Sequence, residues 1–202
     1  MDAGKPDFDI KFAELREELE NNRRQLRTIS YNAKLSSGSK RLNLQHVNFG
    51  EIVGNPGIKF LEETAIRQGL TFSVIVDTDM PDMIADQELI SQALLNLVEN
   101  AVSFTESGGI EVSITKSKYR FVKVSVKDTG VGVYKKEKYL IFKKYQQGSR
   151  KSSKKHMGLG LGLGLSITKQ IVGLHKGHLG VESEEGKGSV FWFIIVSQNL
   201  SG

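Results

Sequence analysis

Apolar residues recur with a helical period over the first part of the chain. From residue 9 to residue 35 they fall at alternating spacings of three and four, in a narrow stripe flanked by charged residues. This pattern predicts a helix with a heptad-like seam of about three repeats. The seam residues are Phe12, Leu15, Leu19, Leu26, Ile29 and Ala33. The helix either packs on its own domain or is a dimerising or signal-transmitting helix, and residues 36–39 end it as a linker.

The remaining pattern predicts alternating helices and strands. The strongest helix is expected over 86–101, with Asp86 as its N-cap residue, and others over 49–68 and 162–175. The helix over 49–68 is interrupted early by Asn55-Pro56-Gly57. Strands are expected at 41–47, 70–77, 110–117, 121–127, 178–183 and 189–196. Because most strand connections are hairpins, the sequence predicts a two-layer α/β sandwich with a mixed, mostly antiparallel sheet.

The length of 202 residues suits one domain with an appended segment. We expect a helical leader over 1–40 and a single domain over 41–198. The chain has no cysteine, which excludes disulfide scaffolds, cysteine nucleophiles and thiolate zinc sites. Its apolar runs are shorter than the ~18–20 residues of a membrane span, and its N-terminus lacks a signal-peptide core.

The positive charge is concentrated in one stretch. Between Tyr134 and Lys155, eight lysines and one arginine stand against one glutamate, a local charge of +8, so the rest of the chain carries 5 − 8 = −3. No zinc-finger, ribonucleoprotein or helix-turn-helix pattern accompanies this stretch, so nucleic acid is not an expected partner. A mobile basic loop that meets phosphate is the better explanation. Residues 133–157 carry too much charge to order by themselves.

Two asparagines share one face of the helix over 86–101. Asn96 and Asn100 are four residues apart, and the residues three positions before and one position after each are apolar. Amides at the edge of a buried face need partners. They are either helix or core hydrogen-bonding groups, or oxygen ligands for Mg²⁺.

Three further segments stand out, although the second says little by itself. Asp128-Thr129-Gly130-Val131-Gly132 follows a strand, where the aspartate could accept from an exocyclic amine and the glycines leave room for a flat ring; the alternative is a plain turn. An aromatic pair lies in Ile141–Tyr145, within the basic stretch. Alternating glycines over Gly158–Leu165 open a helix, where backbone N–H groups can face an anion.

Together these segments resemble the nucleotide-binding domain of sensor histidine kinases, in the ATPase superfamily shared with gyrase and mismatch-repair proteins. QALLNLVENAVSFT is similar to the asparagine box of that family, DTGVG to its first glycine box, IFKKY to its phenylalanine box and GLGLGLSITKQIV to its second glycine box. The boxes occur in the family order and cover roughly residues 41–196. The resemblance implies an α/β sandwich that holds ATP between the asparagine-box helix and a mobile lid at about 133–160.

The resemblance also implies roles for individual residues. Asn100 would coordinate Mg²⁺ bridging the phosphates, and Asn96 would support the metal or its water. Asp128 would accept a hydrogen bond from the adenine amine, with Gly130 and Gly132 lining the base pocket. Gly160, Gly162 and Gly164 would let the lid and a helix N-terminus approach the phosphates, and Phe142 would anchor the lid. The expected ATP contacts also include Ser103, Lys144, Tyr145 and Leu161.

The sequence departs from the family at positions that supply positive charge. Ser103 and Gln146 stand where the family often has a basic residue, which would weaken charge stabilisation in phosphoryl transfer. Cations of the lid could substitute, namely Lys143, Lys144, Arg150 or Lys151.

The phosphoacceptor motif is also missing. Residues 24–29 are a partial echo of the family's His-Glu-Leu-Arg-Thr-Pro motif, with Arg24 in place of the histidine. Thirteen residues separate Thr28 from Leu42, too few for a second long hairpin helix. The four histidines, His46, His156, His175 and His178, are better explained structurally.

The resemblance therefore implies the ATP-binding catalytic half of a two-component histidine kinase, using ATP and Mg²⁺. It would transfer the γ-phosphoryl group to a histidine on a separate dimerisation domain, within a phosphorelay that includes a response regulator. A homodimer through the N-terminal helix and a cytoplasmic location, free or as part of a membrane-bound sensor, are further expectations. The alternative is a degenerate kinase acting as a nucleotide-responsive binding or phosphatase-regulating module. A serine-kinase anti-sigma regulator is disfavoured by the helical leader and the kinase-like lid.

Overall fold

A five-stranded mixed sheet and a layer of helices form the body of the protein. The computed structural model describes residues 5–37, 41–117, 121–146 and 162–197. In chain order the elements are α1 (Lys5–Ser36), β1 (Gln45–His46), α2 (Phe49–Val53), α3 (Pro56–Arg67), β2 (Thr71–Val76), β3 (Ile84–Ala85), α4 (Gln87–Phe104), β4 (Gly109–Lys116), β5 (Phe121–Asp128), α5 (Gly164–Leu174), β6 (His178–Glu184) and β7 (Gly188–Val196). The predicted two-layer α/β architecture is confirmed.

Side-chain caps set where the helices begin. The Asp86 carboxylate accepts from the Leu89 N–H at the start of α4, so the predicted N-cap is confirmed. The Asn55 side chain caps α3 in the same way, and Pro56 occupies the first helical position, where it has no N–H to leave unpaired. The helix expected over 49–68 is therefore two helices, because the Asn55-Pro56 pair starts a new one.

The sheet has the strand order β2-β4-β5-β7-β6. Strands β2 and β4 are parallel, with α4 as the crossover between them, and the other neighbouring pairs are antiparallel. Side chains alternate along β5, so that Val122, Val124 and Val126 are buried and Asp128 falls on the same, core-facing side at the end of the strand. The alternation thus brings one carboxylate to the edge of the core.

The described contacts of the helix α1 with the body of the protein lie near its C-terminal end. The phenolic oxygen of Tyr31 donates to Glu88 Oε1 at 2.6 Å, and Leu35 packs against the core. In contrast, the seam residues Phe12 and Leu26 are 63% and 68% exposed. The other large seam side chains are also exposed: Leu15, Leu19 and Ile29. The seam is therefore not packed on the body of the chain.

Two further details differ from the sequence expectations. The strand expected at 41–47 is only Gln45–His46, because its partner is the two-residue β3, which the hydrophobic pattern did not indicate. The basic stretch is partly ordered, since Val133, Ile141 and Phe142 pack against the core and turns run through residues 134–143.

Among the described helices, none combines the length and apolarity that crossing a membrane requires.

Candidate functional site

One side of α4 connects the start of α5 with the turn that follows β5. The Asn96 side chain contacts Gly164, the first residue of α5, and the carbonyl of Phe104 accepts from the Val131 N–H at 3.2 Å. Because a helix rises about 1.5 Å per residue, these contacts lie about 12 Å apart along α4. Asn100 lies between them, one turn from each. The structure thus brings together three of the four predicted segments along one helix.

Two backbone N–H groups fix the side chain of Asp128, the last residue of β5. Its Oδ1 accepts from the Gly130 N–H at 2.9 Å and the Ser189 N–H at 3.2 Å. No described group donates to Oδ2. The side chain is 6% exposed, and burial raises the pKa of this carboxyl despite the two backbone hydrogen bonds that favour its ionised form. The arrangement leaves one carboxylate oxygen to accept from a ligand.

The glycines around Asp128 are required by close backbone contacts. A Cβ on Gly130 would lie 2.2 Å from the Phe104 carbonyl oxygen, and one on Gly132 would lie 2.2 Å from the Glu184 carbonyl oxygen. Gly132 also has a φ of +69°, which favours glycine. Gly188, the first residue of β7, has a φ of +106°, and a Cβ there would lie 2.0 Å from the Asp128 carbonyl oxygen. Glycine at these three positions therefore lets the turn after β5 pack closely against α4 and the β6–β7 hairpin.

The side-chain nitrogen of Asn100 is a buried hydrogen-bond donor on α4, between Asn96 and Phe104. Its Nδ2 is buried without a hydrogen-bond partner in the part of the chain that the structure describes. A buried amide group without a partner costs about 1–3 kcal/mol, so its presence calls for a functional explanation. An amide that can turn its oxygen to a hard cation or its nitrogen to a phosphate fits a nucleotide and Mg²⁺.

Asn96 is occupied by protein groups at both ends of its amide. Its Oδ1 accepts from Gln92 Nε2 at 2.9 Å, and its Nδ2 donates to the Gly164 carbonyl at 3.0 Å and to Thr168 Oγ1 at 3.3 Å. The side chain is 3% exposed. These contacts join α4 to α5, and the expected support of a metal or its water by Asn96 stays a prediction.

The N-terminus of α5 is open to an anion. Among the described residues no side chain caps it: Leu163 occupies the N-cap position, and the first turn has no acidic residue. The first backbone N–H groups of a helix lack intrahelical partners and attract anions. Immediately before it, Gly162 has a φ of +64°, and its carbonyl accepts from the Tyr145 N–H at 3.0 Å. Tyr145 of the basic stretch therefore lies against the residues that lead into this helix.

The other predicted ATP contacts have varied surroundings. Ser103 Oγ donates to the Glu99 carbonyl at 2.7 Å within its own helix. Lys144 Nζ donates to Ser36 Oγ of α1 at 2.7 Å, and Tyr145 is 69% exposed with a left-handed φ of +61°. Gly160 and Leu161 lie outside the described residues.

Phe142 connects the first part of the lid with the sheet. Its ring makes an edge-to-face contact with Phe191, with centroids 6.5 Å apart and planes at 77°. This contact agrees with the anchoring role expected from the resemblance.

The described histidines have structural surroundings. His175 is fully buried, its Nε2 accepts from the Asp86 N–H, and its Nδ1 contacts the Ile171 carbonyl. Burial lowers the pKa of its imidazole. His46 pairs with Asp82 on the surface, and His178 begins β6. His156 lies outside the described residues.

Four residues of the site were not indicated by the sequence patterns: Gln92, Thr168, Gly188 and Ser189. Gln92 and Thr168 reach Asn96 across the interface between the helices, and Ser189 donates its N–H to Asp128. The only sequence signals were two polar residues at buried helix positions and a second glycine in a hairpin turn.

Comparisons with known proteins agree with this geometry. A family model described as "Histidine kinase-, DNA gyrase B-, and HSP90-like ATPase" matches residues 85–199, more than half of the chain. The adaptive-response sensory kinase SasA of Prochlorococcus marinus is 31% identical over 157 residues, which are 76% of this chain and 39% of that protein. The signal transduction histidine-protein kinase BarA of Escherichia coli is 32% identical over 143 residues, 68% of this chain and 15% of that protein.

Solved structures of histidine kinases share the fold. Full-length ShkA in complex with AMPPNP matches with a TM-score of 0.74 and 26% identity, covering 98% of this chain and 40% of that one. The catalytic domain of the histidine kinase ThkA matches with a TM-score of 0.65 and 29% identity, over 78% of this chain and 99% of that one. The chain spans less than half the length of SasA and BarA. It belongs to the family of histidine kinase-, DNA gyrase B- and HSP90-like ATPases.

Proposed function

We propose that this chain is the ATP-binding catalytic part of a sensor histidine kinase. The observation that carries the proposal is the buried Nδ2 of Asn100, which has no partner among the described residues. Asn100 lies on α4 between Asn96, which contacts the start of α5, and Phe104, which contacts the turn after Asp128. In the proposed reaction, the bond between the γ-phosphorus and the β–γ bridging oxygen breaks and a phosphorus–nitrogen bond to an imidazole forms. ADP leaves, and the imidazole N–H proton passes to solvent. The histidine belongs to a separate dimerisation domain.

The adenine ring would bind beside Asp128. The two backbone N–H groups on Oδ1 fix the carboxylate plane, so Oδ2 can accept from the exocyclic amine. Gly130 and Gly132 hold the turn against α4 and β6, and we propose that the same turn lines the base pocket.

The phosphates would bind at the α5 end. The uncapped N–H groups of α5 supply donors to an anion, and Gly160, Gly162 and Gly164 would keep the backbone free of side chains there. We propose Asn100 as the residue that holds Mg²⁺; when bound, the ion neutralises phosphate charge. Leu161 and Tyr145 would cover this end from the lid.

The chain also fits a second function, that of a nucleotide-responsive module without strong kinase activity. Ser103 carries no charge, and its hydroxyl is used by the Glu99 carbonyl. Lys144, one of the four lid cations that could serve the γ-phosphate, donates to Ser36. Positive charge is the main contribution of a protein to phosphoryl transfer, so a slow enzyme that still binds nucleotide is consistent with these contacts.

Partners are proposed from the exposed surfaces and from the relatives. The exposed seam of α1 suits pairing with a second copy of the chain or with the dimerisation domain. The structure of ThkA in complex with the response regulator TrrA matches with a TM-score of 0.65 and 26% identity, and we propose a response regulator as partner here too. Because the reaction uses ATP, we propose a cytoplasmic location.

Radiolabel transfer distinguishes the two functions. The chain is incubated with γ-labelled ATP, Mg²⁺ and a separately supplied dimerisation domain that carries the phosphoacceptor histidine. A kinase labels the added domain in an acid-labile form, and its histidine-to-alanine variant stays unlabelled. Nucleotide binding without any transfer would support the module, and absence of binding would contradict both functions.

A further inference from the structure

Three polar side chains form a hydrogen-bonded chain inside the apolar contact between α4 and α5. Gln92 Nε2 donates to Asn96 Oδ1 at 2.9 Å, and Asn96 Nδ2 lies 3.3 Å from Thr168 Oγ1. Both Asn96 and Thr168 also donate to the Gly164 carbonyl, each at 3.0 Å. We call Gln92, Asn96 and Thr168 the polar brace.

The polar brace lies in a buried part of the contact between α4 and α5. Gln92, Asn96 and Thr168 are 7%, 3% and 0% exposed, and their sequence neighbours Leu97 and Ile167 are fully buried. Apolar side chains of similar size would pack in such a place without any need for hydrogen bonds. The polar groups must therefore provide something that packing does not.

Hydrogen bonds are directional, whereas apolar packing tolerates small shifts along a helix axis. Buried polar residues between helices are best known for fixing register. Here the fixed group is the carbonyl of Gly164, the first residue of α5, so the polar brace ties the beginning of that helix and not its middle. Asn96 lies one turn from Asn100, about 6 Å along α4.

We propose that the polar brace is a positioning device for the phosphate end of the nucleotide site. It sets the distance between the N–H groups at the start of α5 and Asn100, without touching the nucleotide. Asn96, Gln92 and Thr168 are then positioning residues, which replaces the metal-supporting role expected for Asn96. The proposal rests on the proposed function, because it concerns the same site.

Loss of the polar brace should weaken binding of the phosphates and leave binding of the base unchanged. Loss of the brace lets the start of α5 move, so phosphate contacts weaken, whereas Asp128 is held by Gly130 and Ser189 and keeps its position. A merely structural role would weaken both ends together. The ratio of the affinities for Mg-ATP and adenosine therefore separates positioning from stability.

The test compares variants by titration with Mg-ATP and with adenosine. Thr168→Val keeps the shape but removes the hydroxyl, and we expect about fivefold weaker Mg-ATP binding with adenosine affinity unchanged. Thr168→Ser retains the hydroxyl and should restore the ratio. The matched control is Thr64→Val, because Thr64 is also a buried helical threonine whose Oγ1 donates to a carbonyl four residues earlier, and it lies on α3. Its ratio should equal that of the wild type.

Amide hydrogen exchange tests the same device without any nucleotide. In Thr168→Val, the amides of the first turn of α5 should exchange faster relative to those of its last turn, and Gln92→Met should have the same effect. Equal losses of Mg-ATP and adenosine affinity, or no loss of either, would overturn the positioning role. Unchanged exchange at the start of α5 would also overturn it, even for a protein that binds no nucleotide. Failure of the wild type to bind either ligand would instead contradict the proposed function.

Discussion

Replacing Asp128 with asparagine should change which purine the protein prefers. In the wild type, Asp128 offers only acceptors, and its Oδ1 is used by the Gly130 and Ser189 N–H groups. In Asp128→Asn, the amide oxygen keeps those two donors, so the amide NH₂ takes the position of Oδ2. A donor then faces the exocyclic amine of adenine, where the wild type has an acceptor.

The magnitude follows from the charge of the hydrogen bond that is lost. A hydrogen bond to an ionised group contributes about 1.5–3 kcal/mol, so ATP affinity should fall about 10-fold to 100-fold. Inosine triphosphate has a carbonyl in place of the amine, and its affinity should rise in the variant. The free energy of unfolding should change by less than about 1 kcal/mol, because the amide keeps both backbone donors and burial already disfavours the charge.

The assay is a titration of both proteins with ATP and with inosine triphosphate, together with thermal unfolding. Asp79→Asn is a suitable control, because Asp79 is an exposed aspartate whose carboxylate lies 3.5 Å from Lys116 Nζ. That control should leave both affinities unchanged. Equal losses for the two nucleotides in Asp128→Asn would refute the adenine role, and a large loss of stability would refute the hydrogen-bond exchange.

Three further predictions concern stability and pH. Gly188→Ala should lower the free energy of unfolding by about 2 kcal/mol or more. Gly186 also has a positive φ, but no atom lies within 4 Å of a Cβ built on it, so Gly186→Ala should lower the free energy of unfolding by only about 1 kcal/mol. Denaturant unfolding measures both losses. Phe142→Ala should lose about 1–2 kcal/mol and speed amide exchange in the residues around it, because its contact with Phe191 is removed. Burial raises the pKa of the Asp128 carboxyl, because the ionised form is less favourable in the folded protein than in the unfolded one. Lowering the pH through this pKa should therefore increase the free energy of unfolding, while ATP binding should weaken because the carboxylate is lost. Asp128→Asn should show neither change.

Residues whose role is local were predictable from the sequence. Asp86 was recognised as a cap because it precedes a strongly amphipathic helix, and Asp128 was placed at the end of a strand because alternating apolar residues precede it. Short-range pattern and chemistry were sufficient in both cases.

Roles that depend on distant contacts were not predictable. Gly188 was assigned to a hairpin turn, and only the pairing of β5 with β7 brings it against Asp128. Asn96 was grouped with Asn100 because the two share a face, yet the arrival of α5 gives Asn96 protein partners and leaves Nδ2 of Asn100 without any among the described residues. Identical spacing in the sequence cannot distinguish the two amides, because the difference comes from a helix more than sixty residues away.

Short strands and anchored loops were also beyond the local pattern. The pair Ile84–Ala85 is too short to show an alternation, and it limits the strand expected at 41–47 to the residues that it can pair. The charge of the lid suggested that it could not order, but Ile141 and Phe142 give its first part an apolar contact with the core. Tertiary packing decided both outcomes.

The most direct test of the nucleotide site is calorimetric titration of Asn100→Ala with Mg-ATP and with adenosine. The proposed site predicts at least about tenfold weaker Mg-ATP binding and an unchanged adenosine affinity, because Asn100 serves the phosphates and the ion while Asp128 serves the base. Asn43→Ala is the matched control, because Asn43 is exposed and its backbone N–H, which alanine retains, donates to Asp86 Oδ2; this variant should bind both ligands like the wild type. Unchanged binding of Mg-ATP by Asn100→Ala, or an equal loss of both ligands, would contradict the site.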